Sequence, residues 1–251
     1  MGRADRGRRA PKCVLALVAG ACYQRRVTFT QRTEDDPDRF GTVPFYAAIG
    51  KAFVTMCAVV VGLAAIELVN EITGDQLDRE GGIYPRDFSR LGGIITAPFL
   101  HQSWAHLYGN SIPLLLTGTF VLAGGVLRFA KVTGFIVLVA GLGTWLTTSA
   151  NHFVVGASGV IFGYVGYLLA RGIVERTWWA TVVALLIGGL YGWQIYSAVV
   201  PNDPNISWQD HLFGLIGGIV AAVLFRRRRP RPPEVPKPEG NLPPTLDLPT
   251  V

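Results

Sequence analysis

The chain has 251 residues, half of them hydrophobic and 16% charged, with a formal net charge of +6. A disordered chain is poor in apolar residues and rich in charge, so this composition excludes disorder over the whole length. The cysteines Cys13, Cys22 and Cys57 form no C-x-x-C pair and indicate neither a disulfide framework nor a zinc ribbon. Most basic residues lie near the ends of the chain, which favours a membrane over nucleic acid as the partner.

Six hydrophobic runs follow one another along the chain, and each is long enough for a membrane-spanning helix of about 17–25 residues. They predict helices over roughly 52–69, 105–127, 132–150, 154–170, 178–200 and 208–225. The alternative is a soluble protein with buried helices, but the short connections leave too little polar sequence to coat a soluble globule. The sequence therefore predicts an all-α membrane protein with six transmembrane helices.

The basic residues predict the orientation, because Lys and Arg are enriched in cytoplasmic segments. With the N-terminus inside, the inner segments hold 20 of the 23 Lys and Arg residues. These segments are 1–51, 128–131, 171–176 and the tail from 226. The outer segments hold the other three, Arg79, Arg86 and Arg90. Both termini are therefore predicted to be cytoplasmic.

Two polar tails flank the hydrophobic region. Residues 1–50 are predicted to form a basic cytoplasmic tail, although residues 13–22 resemble the apolar part of a signal peptide. Arg25 and Arg26 follow at once and would be poorly translocated, so a cytoplasmic tail or an extension upstream of the natural start is favoured. Residues 227–251 hold half of the 16 prolines and predict a disordered basic tail.

Polar residues stand near the starts of the second, fourth and sixth predicted helices, which all enter the membrane from the outer face. Such groups are costly inside a membrane and are usually functional. At a rise of 1.5 Å per residue they lie about 5–10 Å below the outer surface, and one shared site explains this common depth. They are His101 just before the second run, His106 and Asn110 in it, Ser158 in the fourth and His211 in the sixth.

Ser158 and His211 are a candidate nucleophile and base. A serine hydroxyl needs a base to take its proton, and imidazole titrates near neutral pH. Small residues let membrane helices approach closely, and Phe162, one turn after Ser158, is placed to pack on the His211 ring. The glycines concerned are 156, 159, 163 and 166 on the fourth helix and 214, 217 and 218 on the sixth.

An acyl-transfer site also needs donors for the developing oxyanion. The free N–H groups at the helix start near Ser158 are suitable, and His106 and Asn110 share one face of the second helix. Asp210 precedes His211 but projects about 100° away from it on a helix. The residues therefore indicate a Ser-His dyad rather than a triad.

Over residues 51–226, roughly 70% of its length, the chain resembles the rhomboid family of intramembrane serine proteases. The resemblance rests on the H-x-x-x-x-H-x-x-x-N run from His101 to Asn110, on G-A-S-G at 156–159, and on His211 followed by Gly214. It implies a six-helix rhomboid bundle and an endopeptidase that cuts single-span membrane proteins in or near the outer part of their span. The implied roles are Ser158 as nucleophile, His211 as base, and His106, Asn110 and Gly156 around the oxyanion. Structural roles near the site are implied for His101, Phe162, Gly159, Gly163, Gly214 and Gly218.

Two departures from the family pattern are visible. The Trp-Arg pair that many members carry in the first loop is missing, and Gly92-Gly93 stands about there. Phe162 stands where some members have Tyr.

Rival interpretations remain for some of these residues. His101 is expected to be a structural hydrogen-bonder, and a metal site with His106 and His152 lacks the spacing of a helical zinc motif. Glu67 is expected at the interface, without a role. No metal and no cofactor are predicted.

Other functions are also open. A non-proteolytic rhomboid-like protein that binds membrane spans is the main alternative, although such relatives usually lack the serine or the histidine. A transporter would need a polar path to the inner face, where these helices are apolar. The expected partners are transmembrane substrates and the lipid bilayer, while the oligomeric state cannot be read. An excess of Arg over Lys favours a bacterial plasma membrane.

Overall fold

The computed structural model describes residues 40–149, 152–176, 178–183, 185–186, 188–189 and 207–227. Within these residues the fold is all-α, and the only extended pairing is a bridge between Ile83 and Val154. Residues 178–183, 185–186 and 188–189 are helical, and short 3₁₀ helices cover Phe88–Arg90 and Ala97–Phe99. The other helices, in chain order, are α1 (Val43–Ile72), α2 (Gln76–Gly81), α3 (Gly93–Thr96), α4 (Trp104–Ala123), α5 (Val126–Thr147), α6 (Ser158–Val174) and α7 (Trp208–Leu224).

α1 begins well before the predicted start at residue 52 and includes the end of the segment interpreted as a tail. The Thr42 side chain caps this helix by accepting from the Phe45 amide at 3.3 Å, and Pro44 stands in the first turn. Both are helix-start signals. The predicted run began after Lys51, but the residues before it (VPFYAAIG) are mostly apolar too, so the helix continues through this lysine.

Four of the other five predicted helices match described elements, with ends displaced by at most six residues. α4, α5, α6 and α7 correspond to the second, third, fourth and sixth predictions. α6 starts four residues later than predicted, because Val154 is held in the bridge to Ile83. Much of the fifth predicted helix, including 190–200, lies outside the described residues, as do residues 1–39 and 228–251 of the two predicted tails.

Among the described helices, α1 and α5 are long and apolar enough to cross a membrane, and α6 and α7 are shorter apolar helices. Several large apolar side chains of α1 are exposed, including Val54, Val61 and Ile72. Exposed apolar surface on this scale suits contact with lipid.

α6 and α7 run parallel and form the most extensive helix contact of the bundle. A Cβ atom added at Gly214 would collide with the Gly159 carbonyl, and one added at Gly218 would collide with the Gly163 carbonyl. The constant offset between these pairs shows that the two helices keep one register. α5 packs against both in the opposite direction, with Ile136 against Gly163.

The segment between α1 and α4 packs over the end of the bundle where α4, α6 and α7 begin. Arg86 donates to the Thr148 carbonyl at 2.8 Å and so ties this segment to the end of α5. Glu67 was expected at the interface, but it is buried, with only 4% of its surface exposed. The α2 residue Asp78 is buried as well, and its amide donates to the Asn70 side chain at 3.2 Å. Glu67 is thus buried in the folded protein, although it would be exposed on an isolated helix.

Candidate active site

The polar residues singled out in the sequence gather at one end of the bundle, which we call the site end. α4, α6 and α7 all begin there, so His106, Ser158 and His211 each stand within the first turns of their helices. Each helix start leaves backbone N–H groups without helical partners and carries partial positive charge. Three such starts at one place favour the binding of a developing negative charge.

Ser158 is the first residue of α6 and is half-buried. The chain reaches it through Gly156, whose φ of +130° is a backbone conformation that residues with a Cβ atom rarely adopt. The Gly156 amide donates to the Ala97 carbonyl at 2.9 Å. This strained turn fixes where α6 starts and therefore where the Ser158 hydroxyl lies.

His211 is buried in the first turn of α7, and its ring stacks on the ring of Phe162. The two ring centroids are 4.4 Å apart, and the rings are tilted by only 13°. Phe162 and Ser158 are four residues apart on α6 and share one face of that helix. The imidazole therefore lies against the face of α6 that carries the serine.

His106 and Asn110 line the other side of the turn before Ser158. A Cβ atom added at Gly156 would lie 2.9 Å from His106 Nε2 and 3.7 Å from Asn110 Nδ2, so both side chains pack directly on this glycine. Asn110 is buried, and its Nδ2 has no hydrogen-bond partner among the described residues. A buried donor in this position can donate to a group that binds beside Gly156.

His101 departs from its expected role. The side chain is fully buried, but neither ring nitrogen has a hydrogen-bond partner in the described part of the chain. Its ring instead packs edge to face against His106, with centroids 5.2 Å apart. His101 therefore supports the His106 ring by packing, and the predicted hydrogen bonds between the first loop and α4 are not seen for this residue.

His152, the third histidine of the alternative metal site, is exposed in the loop before α6. Over the described ranges, no three His, Cys, Asp or Glu side chains are arranged to hold a metal ion.

Asp210 is buried at the site end, although the sequence did not predict it to be part of the site. Asp210 is 7% exposed, and its carboxylate accepts from the Thr144 hydroxyl at 3.3 Å and from the Gly159 amide. The sequence signal was the S-x-x-D pattern from Ser207 to Asp210, which marks a helix start, and Ser207 does cap α7. The pattern does not reveal that the carboxylate turns toward α6, because that depends on the contact between the two helices.

Acyl transfer requires a nucleophile, a base and donors for an oxyanion. The half-buried Ser158 hydroxyl, the buried His211 imidazole, and the Asn110 and His106 side chains beside Gly156 are groups of these kinds.

Comparisons with known proteins agree with the helical architecture. The family model described as Rhomboid domain matches residues 88–228. An uncharacterized protein of Mycobacterium tuberculosis is 38% identical over 189 residues, which cover 72% of this chain and 77% of the relative. An uncharacterized protein of Mycobacterium leprae is 34% identical over 68% of this chain and 70% of its own length. A Bacillus subtilis protein whose name marks it as a candidate rhomboid protease, YdcA, is 28% identical over 55% of this chain and 69% of its own length.

Proposed function

Since the chain belongs to the rhomboid family and is an integral membrane protein, we propose that it is an intramembrane serine endopeptidase that works through a Ser158–His211 dyad. Its substrates are single-span membrane proteins, cut in or near the outer part of the transmembrane helix. The observation that carries the proposal is the stacking of His211 on Phe162, because it holds a buried imidazole against the serine face of α6. A packing histidine alone would not explain the buried Asn110 donor beside the same turn.

In the first half of the reaction, the Ser158 Oγ attacks a peptide carbonyl while His211 accepts the hydroxyl proton. The carbonyl oxygen becomes an oxyanion, which the Ser158 amide and the side chains of Asn110 and His106 stabilise by donating hydrogen bonds. The tetrahedral intermediate collapses to an acyl-enzyme as the C–N bond breaks, and His211 gives its proton to the leaving amine.

In the second half, His211 takes a proton from water, and the resulting hydroxide attacks the acyl carbon. The new carboxylic acid leaves as Ser158 recovers its proton from His211. Because Asp210 is directed toward Gly159 and Thr144, the imidazole acts without a carboxylate hydrogen-bonded to it from the neighbouring position.

The proposed setting is a bacterial plasma membrane crossed by six helices with both termini in the cytoplasm. The distribution of basic residues supports this orientation, since 20 of the 23 Lys and Arg residues then lie inside. The site end consequently faces the outer surface, where water can reach the acyl-enzyme. A reporter fused after Val251 that is active only outside the cytoplasm would overturn the orientation.

A substrate helix must unwind before it can be cut, because every carbonyl inside a helix is hydrogen-bonded and shielded in the membrane. Glycine within a helix costs about 1 kcal/mol relative to alanine, which biases local unwinding about fivefold. Moving a glycine pair turn by turn through a single-span substrate should therefore give the fastest cleavage in its outer quarter. Fastest cleavage at the cytoplasmic end would contradict either the orientation or the unwinding step.

The deciding experiment is cleavage of a generic single-span substrate by the purified, detergent-solubilised protein. We expect Ser158→Ala and His211→Ala each to abolish cleavage, and the double variant to be no worse than either, because the two residues act as a unit. A fluorophosphonate probe should label Ser158 in the wild type. Ser111→Ala and His152→Ala are matched controls, since Ser111 bonds to the Leu107 carbonyl of its own helix and His152 is exposed.

Substantial activity in Ser158→Ala would refute serine catalysis. A wild type that binds the substrate span but neither cleaves it nor reacts with the probe would favour the non-proteolytic alternative.

A further inference from the structure

The carboxylate of Asp210 packs on Gly159, the residue that follows the proposed nucleophile Ser158. A Cβ atom added at Gly159 would lie 2.5 Å from Asp210 Oδ1 and 2.6 Å from Cγ, and nearer still to Oδ2. The side chain therefore lies flat against the residue that follows Ser158. It is 93% buried, so this position is set by the protein and not by solvent.

Two hydrogen bonds hold the carboxylate there. The Gly159 amide donates to it from the first turn of α6, and the Thr144 hydroxyl donates to Oδ1 at 3.3 Å from the last turn of α5. Asp210 itself belongs to the first turn of α7. One side chain thus joins three helices within a single turn of both Ser158 and His211.

This contact also explains why residue 159 must be glycine. Any Cβ atom at residue 159 would displace the carboxylate. A Cβ atom added at Gly214 would collide with the Gly159 carbonyl, so the two helices are close at this point. The Asp210 carboxylate therefore contacts α6 at the point where α6 and α7 meet.

Burying a carboxylate is costly unless it is hydrogen-bonded, and the capping of α7 does not require it. In an S-x-x-D start the acidic side chain usually turns back to the amide of its own N-cap residue. Here the Ser207 side chain accepts from the Asp210 amide, while the carboxylate is directed across to α6. The side chain is used for the contact between helices.

We propose that Asp210 is a positioning residue, which fixes His211 relative to Ser158 by binding the first turn of α6 and the end of α5. The proposal rests on the proposed function, because it assumes that these two residues form the dyad. Asp210 contacts neither substrate nor reacting atoms, and it acts through the placement of the α7 start. A misplacement of about 1 Å in such a site can lower the rate about 100-fold.

The test compares Asp210→Ala with Asp210→Asn. Alanine removes both hydrogen bonds, whereas the asparagine oxygen can accept from the Gly159 amide and its NH₂ group can donate to Thr144 Oγ1. We expect Asp210→Ala to lower kcat and the rate of fluorophosphonate labelling at Ser158 about 10- to 100-fold, with KM changed less than about threefold. Asp210→Asn should restore both rates to within about threefold of the wild type.

Thr144 provides an independent pair of variants if Asp210→Ala does not fold. Thr144→Val removes the donor at nearly constant volume, and Thr144→Ser keeps the hydroxyl. We expect the valine variant to react with the probe several-fold more slowly than the serine variant, at equal thermal stability.

Three results would overturn the proposal. The first is an Asp210→Ala protein that unfolds at lower temperature but keeps wild-type kcat and labelling rate, since Asp210 would then be structural only. The second is an Asp210→Asn protein as slow as Asp210→Ala, and the third is a pair of Thr144 variants that do not differ. Failure of the dyad itself has a different signature, because the wild type would then show no labelling at Ser158.

Discussion

The two ends of the α6–α7 pair are built from different chemistry. At the site end the His211 ring stacks on Phe162, the Asn110 amide lies beside Gly156, and the buried Asp210 carboxylate accepts from the neutral Thr144 hydroxyl. At the opposite end the groups are charged and paired. Arg171 is fully buried and donates to the Glu175 carboxylate at 2.8 Å, and Arg128 pairs with the same carboxylate. The Arg227 amide, just after α7, donates to Glu175 at 2.9 Å.

We interpret this difference as a separation of stability from the proposed catalysis. Glu175 connects the start of α5, the end of α6 and the chain after α7, so it fastens three helices at the end away from the chemistry. At the site end, the buried Asn110 Nδ2 has no partner among the described residues, which suits its proposed role as an oxyanion donor. Variants at the two ends should therefore fail in different assays.

The largest effect is expected at the opposite end. Glu175→Ala removes the carboxylate that Arg171 and Arg128 share, and removing one partner of a buried ion pair typically costs about 3–5 kcal/mol. We expect a large fall in thermal stability in detergent, with the labelling rate of the remaining folded protein within about threefold of the wild type.

Asp87→Asn is the control, because the Asp87–Arg90 pair is exposed and 3.9 Å apart, and the asparagine oxygen can still accept from Ser89. Its thermal stability should stay close to that of the wild type, because an exposed ion pair contributes little. A Glu175→Ala protein as stable as this control would contradict the role of Glu175 in stabilising the opposite end.

The next effect is expected at the site end. Asn110→Ala removes the buried Nδ2 donor, and loss of one oxyanion donor costs about 10²–10³ in kcat. Because that donor has no partner among the described residues, the variant should lose little or no thermal stability. The same Ser111→Ala control serves here, one residue further along α4. If Asn110→Ala instead raised KM at unchanged kcat, this part of α4 would be a substrate contact and the oxyanion role would be wrong.

A smaller effect is expected at Phe162, whose ring stacks on the proposed base His211. Aromatic pairs contribute about 0.5–1.5 kcal/mol beyond their buried area, so Phe162→Leu should lower kcat up to about tenfold by loosening His211. Phe162→Tyr keeps the ring and should stay within about threefold of the wild type. Equal kcat for the leucine and tyrosine variants would show that stacking does not position the imidazole.

Much of the site end could be predicted from local sequence signals. The spacing of Ser158 and Phe162 and the glycines of both helices predicted a close contact between the fourth and sixth helices, because helical periodicity and residue size are properties of the sequence itself. The structure shows this contact in the Phe162–His211 stacking and in the Gly159–Gly214 approach.

Other features depend on tertiary contacts and could not be predicted. Chain segments distant in sequence decide whether Glu67 and Asp210 are buried. They also decide which side chain His101 packs against. The early start of α1 is different, since Thr42 and Pro44 are readable signals that hydrophobicity alone passes over.

The smallest effect concerns a carboxylate near the site end that, unlike Glu175, destabilises the fold when ionised. Burial raises the pKa of Asp78 from its ordinary 3.8 to about 6, although a hydrogen bond to Asn70 acts in the opposite direction. The folded protein therefore binds more protons than the unfolded chain between about pH 4 and 6. The contribution of Asp78 to the free energy of unfolding falls as pH rises through that window and stays low above it.

The Asp78→Asn variant should be as stable as the wild type near pH 4 and more stable by about 1 kcal/mol above pH 6. Thermal unfolding measured across this range checks the difference, with Glu80→Gln as the control, because Glu80 is exposed on the same helix and bonded to Gln76. A stability gain that is equal at pH 4 and pH 7 would mean that packing, and not ionisation of the buried carboxylate, separates the two proteins.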